Sequence, residues 1–329
     1  MTRFIVQRAL VMIVVLLGVL LFIFSISRLS GDPVPHILGD YYTQEQYDAM
    51  QEKLGLDKPV IVQFFNYVKG IVTKFDLGIS FYTKRAVTTE LAVRLPVSIR
   101  IAFITIAWCV PIGIILGLVS AIKQYSIADY TLSTSAMILA STPNFFAALM
   151  FMLLFSVVLK WLPATGLMSW KHYVMPCLTL GLRPVASYTR MTRSSMLEVI
   201  RQDYIRTARS KGLSQRRVIL VHALQNAAIP IVTMFASTVE HMIGGTSVVE
   251  NIFGIPGMGS FMISSIRAGD YPSVQGAVLV FSLIVCICNL TVDILYAVID
   301  PRIKSSYKSY SSWAQTRQDR KIIKAVTRG

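Results

Sequence analysis

Long uncharged runs alternate along this chain with shorter polar stretches. Between Arg8 and Arg28 stand nineteen residues without a charge, close to the roughly 20 that a helix needs to cross about 30 Å of hydrocarbon. Similar windows lie between Arg100 and Lys123, Asp129 and Lys160, Arg217 and Glu240, and Asp270 and Asp293. A sixth, from His172 to Arg190, is interrupted by Arg183 and Pro184, but its segment from Tyr173 to Leu182 is apolar and has polar flanks. The pattern predicts an all-α polytopic membrane protein with six transmembrane helices. The first run is long for a signal core and no Ala-x-Ala site follows it, so it reads as a retained anchor.

Two polar excursions are too long to be simple connections. In residues 28–97, Tyr47, Met50 and Leu54 recur at helical spacing, and Val60, Val62, Phe64, Phe65 and Val68 follow Pro59. This predicts a small extracytoplasmic cap of short helices after the first span. The second excursion, 190–225, is strongly basic yet contains Tyr204, Ile205, Ala208, Leu213, Val218 and Leu220, and it can present a short helix to a protein below the membrane. The chain then divides into an anchor helix (1–27), the cap (28–97), a five-helix core (98–300) that carries the 190–225 loop, and a basic tail (301–329).

Composition agrees with the bilayer reading: 54% of residues are apolar or aromatic and 15% are charged, against roughly 25% charged in soluble domains. The excess of 32 Lys and Arg over 17 Asp and Glu sits on one side. If both termini, 121–128 and 190–222 are cytoplasmic, those segments hold 19 basic and 4 acidic residues, while the opposite segments hold 11 and 10. That asymmetry satisfies the positive-inside rule. The basic patches therefore report topology and supply a docking surface or contacts to anionic membrane lipid, with no nucleic-acid partner implied. The four cysteines lie in or beside apolar runs and read as small buried hydrophobes.

The inner loop runs DYIRTARSKGLSQRRVILVHALQNAAIP from Asp203 to Pro230. Its Thr207-Ala208, Gly212, Leu224 and Pro230 resemble the cytoplasmic loop of ABC importer permeases of the oligopeptide, dipeptide and nickel branch. Further motifs stand in the family's order: GDP at Gly31–Pro33, LGLDKPVIVQF at Leu54–Phe64, FDLGIS at Phe75–Ser80, VVENIFGIPGMGSF at Val248–Phe261, DYPSVQG at Asp270–Gly276 and NLTVDILYAVIDPRIK at Asn289–Lys304. Over about 275 residues the chain resembles the first of the two permease subunits of such an importer. It departs from the general loop in having Arg206 where an acidic residue is usual, and His222-Ala223-Leu224-Gln225 in place of the Ile-x-Leu-Pro ending.

The resemblance implies a type I ABC importer permease fold in a bacterial cell membrane, with both termini cytoplasmic. The implied partners are a homologous second permease, two ATPase subunits that bind ATP and Mg, an extracytoplasmic substrate-binding protein, and an oligopeptide or dipeptide substrate. This chain has no G-x-x-x-x-G-K-[ST] loop to hold a nucleotide, so neither cofactor nor catalytic residue is expected in it. Tyr204, Thr207, Ala208, Lys211, Gly212 and Leu213 are the implied coupling residues. A nickel or metal-chelate substrate is the alternative within the family; an ion-coupled transporter would call for inverted repeats, and none is visible. His36 and His172 are expected at the surface and His222 in the inner loop, and no metal site follows from any of them.

Charges inside apolar runs are costly, which singles out Arg183, Glu240 and Asp293. Arg183 and Glu240 either pair with each other or with the partner permease, or they line the translocation pathway; Asp293 is expected to tie the last span to the inner loop. Gly244, Gly245, Gly254, Gly257 and Gly259 crowd the end of the fifth span. Close helix packing explains such glycines, and the resemblance favours a gate loop at Ile255, Pro256 and Gly257.

Overall fold

The computed structural model describes residues 2–29, 31–39, 41–244 and 246–299, and every regular element among them is helical. Helix α1 (Thr2–Leu29) is followed by three short helices, α2 (Val34–Leu38), α3 (Gln44–Leu54) and α4 (Val60–Lys74). The long α5 (Val87–Ile122) leads to α6 (Ile127–Ser141) and α7 (Asn144–Phe151), the latter continued by a π-helical stretch, Met152–Val158. Then come α8 (Lys171–Ile200), α9 (Asp203–Ser210), α10 (Gln215–Arg217) with a second π-helical stretch, Val218–Ala223, and α11 (Leu224–Gly244). Helices α12 (Ser247–Ile252), α13 (Met258–Arg267) and α14 (Tyr271–Ile299) complete the chain.

Four helical stretches are long and apolar enough to cross a bilayer: Val6–Leu29, Val87–Ile122, Gln215–Met242 and Tyr271–Thr291. A fifth candidate is the pair Ile127–Ser141 and Asn144–Val158, bent by 100° at their junction. The sequence reads this window as a single span. Pro143 explains the break, because its ring disfavours helical geometry in the preceding residue, and Thr142 is extended at φ −76°, ψ 120°. Helix α8, the sixth window, is long enough at 30 residues but too polar to count by the same measure. It runs unbroken through Arg183 and Pro184 and continues past Arg190 to Ile200, so the first part of the expected inner loop is helix. Helix α5 likewise begins at Val87, inside the segment assigned to the cap. Its 36 residues make it about 54 Å long at 1.5 Å per residue, so it reaches well beyond the hydrocarbon.

Apolar and polar surfaces are distributed as the bilayer requires. Leu10, Val14 and Phe22 on α1 are exposed by 57%, 69% and 67%, while Thr105, Thr179 and Thr192 are fully buried between helices. The hydroxyls of Thr105 and Thr179 donate to carbonyls one turn back, which satisfies them without a partner helix.

The core is organised by the contact of α5 with α8. A Cβ on Gly113 would stand 2.5 Å from Tyr188 Cβ, and one on Gly117 would stand 2.5 Å from the Thr189 carbonyl oxygen. Glycine is required at both places because the two backbones approach closely, the arrangement that small residues four apart permit in membranes. One turn of the pair further along, Gly181 on α8 receives the Trp108 ring of α5, and a Cβ there would overlap it.

The segment before α5 holds the short helices that its spacing predicts. Helix α3 opens with a capping box in which the Thr43 hydroxyl accepts from the Gln46 N–H and the Gln46 side chain accepts from the Thr43 N–H, satisfying two otherwise orphaned donors. Gly55 ends it at φ +66°, and α4 begins directly after Pro59. Residues 75–86 then fasten the cap to the bundle. Asp270, at the start of α14 and 1% exposed, accepts from the Phe81 N–H at 2.9 Å and from the Ser80 and Ser273 hydroxyls. The FDLGIS and DYPSVQG motifs, far apart in sequence, thus form one joint.

Gly117→Ala is expected to cost about 1–3 kcal/mol, the usual range for overpacking, and to lower the melting temperature of the detergent-solubilised protein. Gly18→Ala, whose methyl would meet no atom within 4 Å, should leave melting unchanged. Identical melting of the two variants would show that α5 and α8 do not meet on this glycine.

Candidate functional site

Helix α9 lies across the end of the bundle where α5, α8 and α11 converge. Gln202 is extended at φ −73°, ψ 149° and sets off the new helix. Ile205 and Ala208, three apart and so on one face, are 0% and 9% exposed and pack with Ala121, Met196, Val218, Ile219 and Ala223. Tyr204, Arg206, Thr207 and Arg209 are exposed. The helix stops at Gly212, whose φ of +77° is a left-handed cap open to glycine; the Gly212 N–H donates to the Arg209 carbonyl at 2.9 Å. A Cβ at Gly212 would meet nothing within 4 Å, so backbone conformation alone asks for glycine there.

These positions divide the expected coupling residues. Tyr204, Thr207, Lys211 and Gly212 are exposed, and Leu213 is half-buried against the Ile205 cluster. Ala208 differs from the others in packing against this chain's own core, where it anchors α9. The helical period of α9 carries that information, since Ile205 and Ala208 are its only apolar pair at i, i+3 spacing.

An ion pair braces the same end. Arg193 on α8 meets Asp129 on α6 with two parallel hydrogen bonds, Nε to Oδ1 at 2.6 Å and Nη2 to Oδ2 at 2.8 Å. The carboxylate also accepts from the Ser120 hydroxyl and from the Tyr125 N–H at 3.0 Å. Asp129 is 2% exposed at its side chain, so four hydrogen bonds from three residues fill the lone pairs of a desolvated group. The pair joins the end of α5, the start of α6 and α8. Sequence reasoning missed it, for Asp129 marked a span boundary and Arg193 one basic residue among many. No local pattern links residues 64 apart.

The opposite end holds the Ile255–Gly257 loop. Glu250 on α12 is 0% exposed and accepts from the Ser98 hydroxyl of α5 at 2.6 Å and from the Ser260 N–H at 3.0 Å. Ser98 Oγ in turn accepts from the Met258 N–H at 2.9 Å. The Ile255 N–H donates to the Glu250 carbonyl at 2.8 Å, and the Ser260 hydroxyl donates to the Ile255 carbonyl at 2.7 Å. A Cβ on Gly257 would lie 2.4 Å from the Glu250 carboxyl, so glycine admits that group. Ile255 is buried with Met175, Val249 and Phe253, and Pro256 is exposed. Glu250 was not singled out from the sequence, although it lies inside the quoted VVENIFGIPGMGSF motif.

Arg94, beside this loop, pairs with the 5%-exposed Glu90 and stands 4.4 Å over the Phe261 ring. Arg183 and Glu240 are not brought together. Arg183 is exposed on α8, Glu240 is half-buried on α11, and no ion pair among the described residues includes either. Mutual pairing is thereby excluded in this conformation. The tail 301–329, Gly245 and the side chains of His36 and Asp293 lie outside the described residues. Among those described, no group of three His, Cys, Asp or Glu side chains is arranged to hold a metal ion.

Membrane-length helices, a short amphipathic helix seated across one end and a fastened loop at the other define a polytopic transport subunit. Residues 113–305 match the family described as binding-protein-dependent transport system inner membrane component, and residues 1–102 match its N-terminal companion. The chain belongs to this family and is an ABC importer permease of the oligopeptide, dipeptide and nickel branch, a multi-pass inner membrane protein. It is 38% identical over 306 residues to the glutathione transport system permease protein GsiC of Escherichia coli O6:H1, covering 92% of this chain and 99% of that one. Its identity to the protein of the same name from Pectobacterium atrosepticum is 39% over 305 residues, with the same coverage. The MetNI methionine ABC transporter, solved in inward-facing conformations, shares the fold with a TM-score of 0.55 at 18% identity, over 65% of this chain and 97% of that one.

Removing the Glu250 side chain leaves the Ser260 N–H unpaired in a buried site, a loss of roughly 1–3 kcal/mol. Glu250→Ala should therefore lower the melting temperature clearly, and Glu250→Gln, which keeps one acceptor oxygen, should recover much of it. Equal melting of wild type and Glu250→Ala would remove the anchoring role.

Proposed function

We propose that this chain forms, with a homologous permease, the pathway by which short peptides enter the cell, driven by ATP hydrolysis in separate ATPase subunits. This subunit does no chemistry of its own. The observation that carries the reading is the two-sided burial of α9: Ile205 and Ala208 are locked into the membrane bundle while Tyr204, Thr207 and Lys211 remain outside it. Such a helix can take a push from an ATPase and deliver it to α5, α8 and α11. Basic Arg206, Arg209, Arg216 and Arg217 surround it and suit an acidic groove on that partner. The nearby relatives named for glutathione transport, itself a small peptide, support a peptide substrate delivered by an extracytoplasmic binding protein.

In this reading six spans place both termini and α9 in the cytoplasm, in keeping with the 19 to 4 charge split of those segments. Arg183 and Glu240 line the pathway, where the charged ends of a peptide or the partner permease meet them. The Ile255-Pro256-Gly257 loop gates the opposite mouth, moving as a unit because the Glu250 and Ser98 bonds hold it to α5.

Thr207→Trp enlarges the exposed face without entering the core. It is expected to abolish peptide uptake and substrate-stimulated ATP hydrolysis by the assembled transporter while leaving the melting temperature near wild type. Ala208→Glu should instead lower the melting temperature, by placing a carboxylate in the apolar cluster. Normal uptake by Thr207→Trp would remove α9 from the coupling route.

A further inference from the structure

A cavity of about 620 Å³ lies between the end of α1, the cap and the start of α14. Among the described residues its charged lining is one-sided, Arg28, Lys53, Lys58 and Lys84 against Asp76, with Asp32 also acting on Arg28 from nearby. Lys53, Lys58 and Lys84 form no ion pair among the described residues. Two buried polar atoms of α4 on the wall, Tyr67 OH and Gln63 Oε1, have no hydrogen-bond partner among the described residues. The Gln63 amide nitrogen is already committed to the Leu56 and Lys58 carbonyls, which fixes the free oxygen as an acceptor. Burial pushes the Tyr67 phenol up, so it stays a donor. Buried polar groups are nearly always satisfied, and this pair asks for a ligand with both an acceptor and a donor.

A second hollow, of about 350 Å³, lies further along α1 and α4, with the Phe24–Phe64 ring contact between the two: Phe24 lines the first and Phe64 the second. Leu17, Leu21, Phe64, Phe65 and Val68 line it, and Gly18 leaves it open, with no atom within 4 Å of where its Cβ would be. From Leu17 to Arg28 the helix rises about 16 Å. A cationic chamber and an apolar groove thus lie along the same two helices, α1 and α4.

We propose that the two hollows together hold one anionic phospholipid of the phosphatidylglycerol kind, drawn from the leaflet on the cap side. Its phosphate meets Arg28, the lysines and the Tyr67 hydroxyl, a glycerol hydroxyl donates to Gln63 Oε1, and an acyl chain lies in the groove beside Gly18. The lysines supply charge selectivity of the kind basic residues give at lipid surfaces. The groove supplies the preference for a lipid over a soluble phosphate. Bound there, the lipid ties α1 to the cap and to α14.

Native mass spectrometry of the full-length permease, purified with its complex and incubated with defined lipid, tests the site. Wild type should retain phosphatidylglycerol over phosphatidylcholine by about tenfold. The combined Lys53→Gln, Lys58→Gln and Lys84→Gln variant should bring that ratio towards one, with melting in lipid-free detergent unchanged because all three side chains are exposed. Gly18→Leu, which fills the groove, should reduce retention of both lipids severalfold. Equal retention of the two lipids by wild type, or an unchanged ratio in the lysine variant, would overturn the proposal. Binding of glycerol phosphate as tight as that of the lipid, and insensitive to Gly18→Leu, would also overturn it in favour of a soluble phosphate.

Discussion

The backbone contact of α5 with α8 at Gly113 and Gly117 is the constraint on which the rest of this permease depends. Lipid offers no hydrophobic force to press two helices together, so they must gain from close van der Waals packing. Only glycine allows the approach seen here, with Tyr188 and Thr189 occupying the space a side chain would take. Because α5 is 36 residues long, this fastening in its middle fixes the position of both its ends. One end reaches the cap and the Ile255–Gly257 loop, and the other reaches α9.

Buried carboxylates then fasten what the helix pair positions. Asp270 holds residues 80 and 81 of the cap to α14, Glu250 holds α12 and α13 to Ser98 of α5, and Asp129 holds α6 to Arg193 of α8. Each accepts several short hydrogen bonds from groups distant in sequence, the arrangement that offsets the cost of burying a carboxylate. Two of the three rely on hydroxyls and backbone N–H groups, with no ion pair among the described residues. These joints make the cap, the loop and the inner end continuous with the bundle. Motion in such a body passes through packed elements with discrete arrangements.

Much of this was legible in the chain. Uncharged windows located the long helices because a bilayer demands length and apolarity together, and the spacing of Tyr47, Met50 and Leu54 located α3. The break at Pro143 was hidden inside one apolar window, since composition does not register a bend. The continuity of α8 was obscured by Arg183 and Pro184, which a helix that packs on α5 accommodates. Among the implied coupling residues, Tyr204, Thr207 and Gly212 are exposed, whereas Ala208 turns inward. The Asp129–Arg193 pair and the Glu250–Ser98 bond left no local trace, because they link residues 64 and 152 apart. Arg183 and Glu240 showed the reverse: both drew attention as charges in apolar runs, and no ion pair among the described residues includes either.

The central claim is that α9 and the membrane bundle form one mechanical body, joined through Ile205, Ala208 and their cluster around Ala121. A short thiol cross-link between cysteines introduced at positions 121 and 205, in a background without the native four, would lock that joint. ATP-driven uptake by the reconstituted transporter should be the same before and after the cross-link forms, because the joint does not move in the cycle. Uptake that stops on cross-linking and returns with reductant would show that α9 slides on the bundle, and would contradict the account.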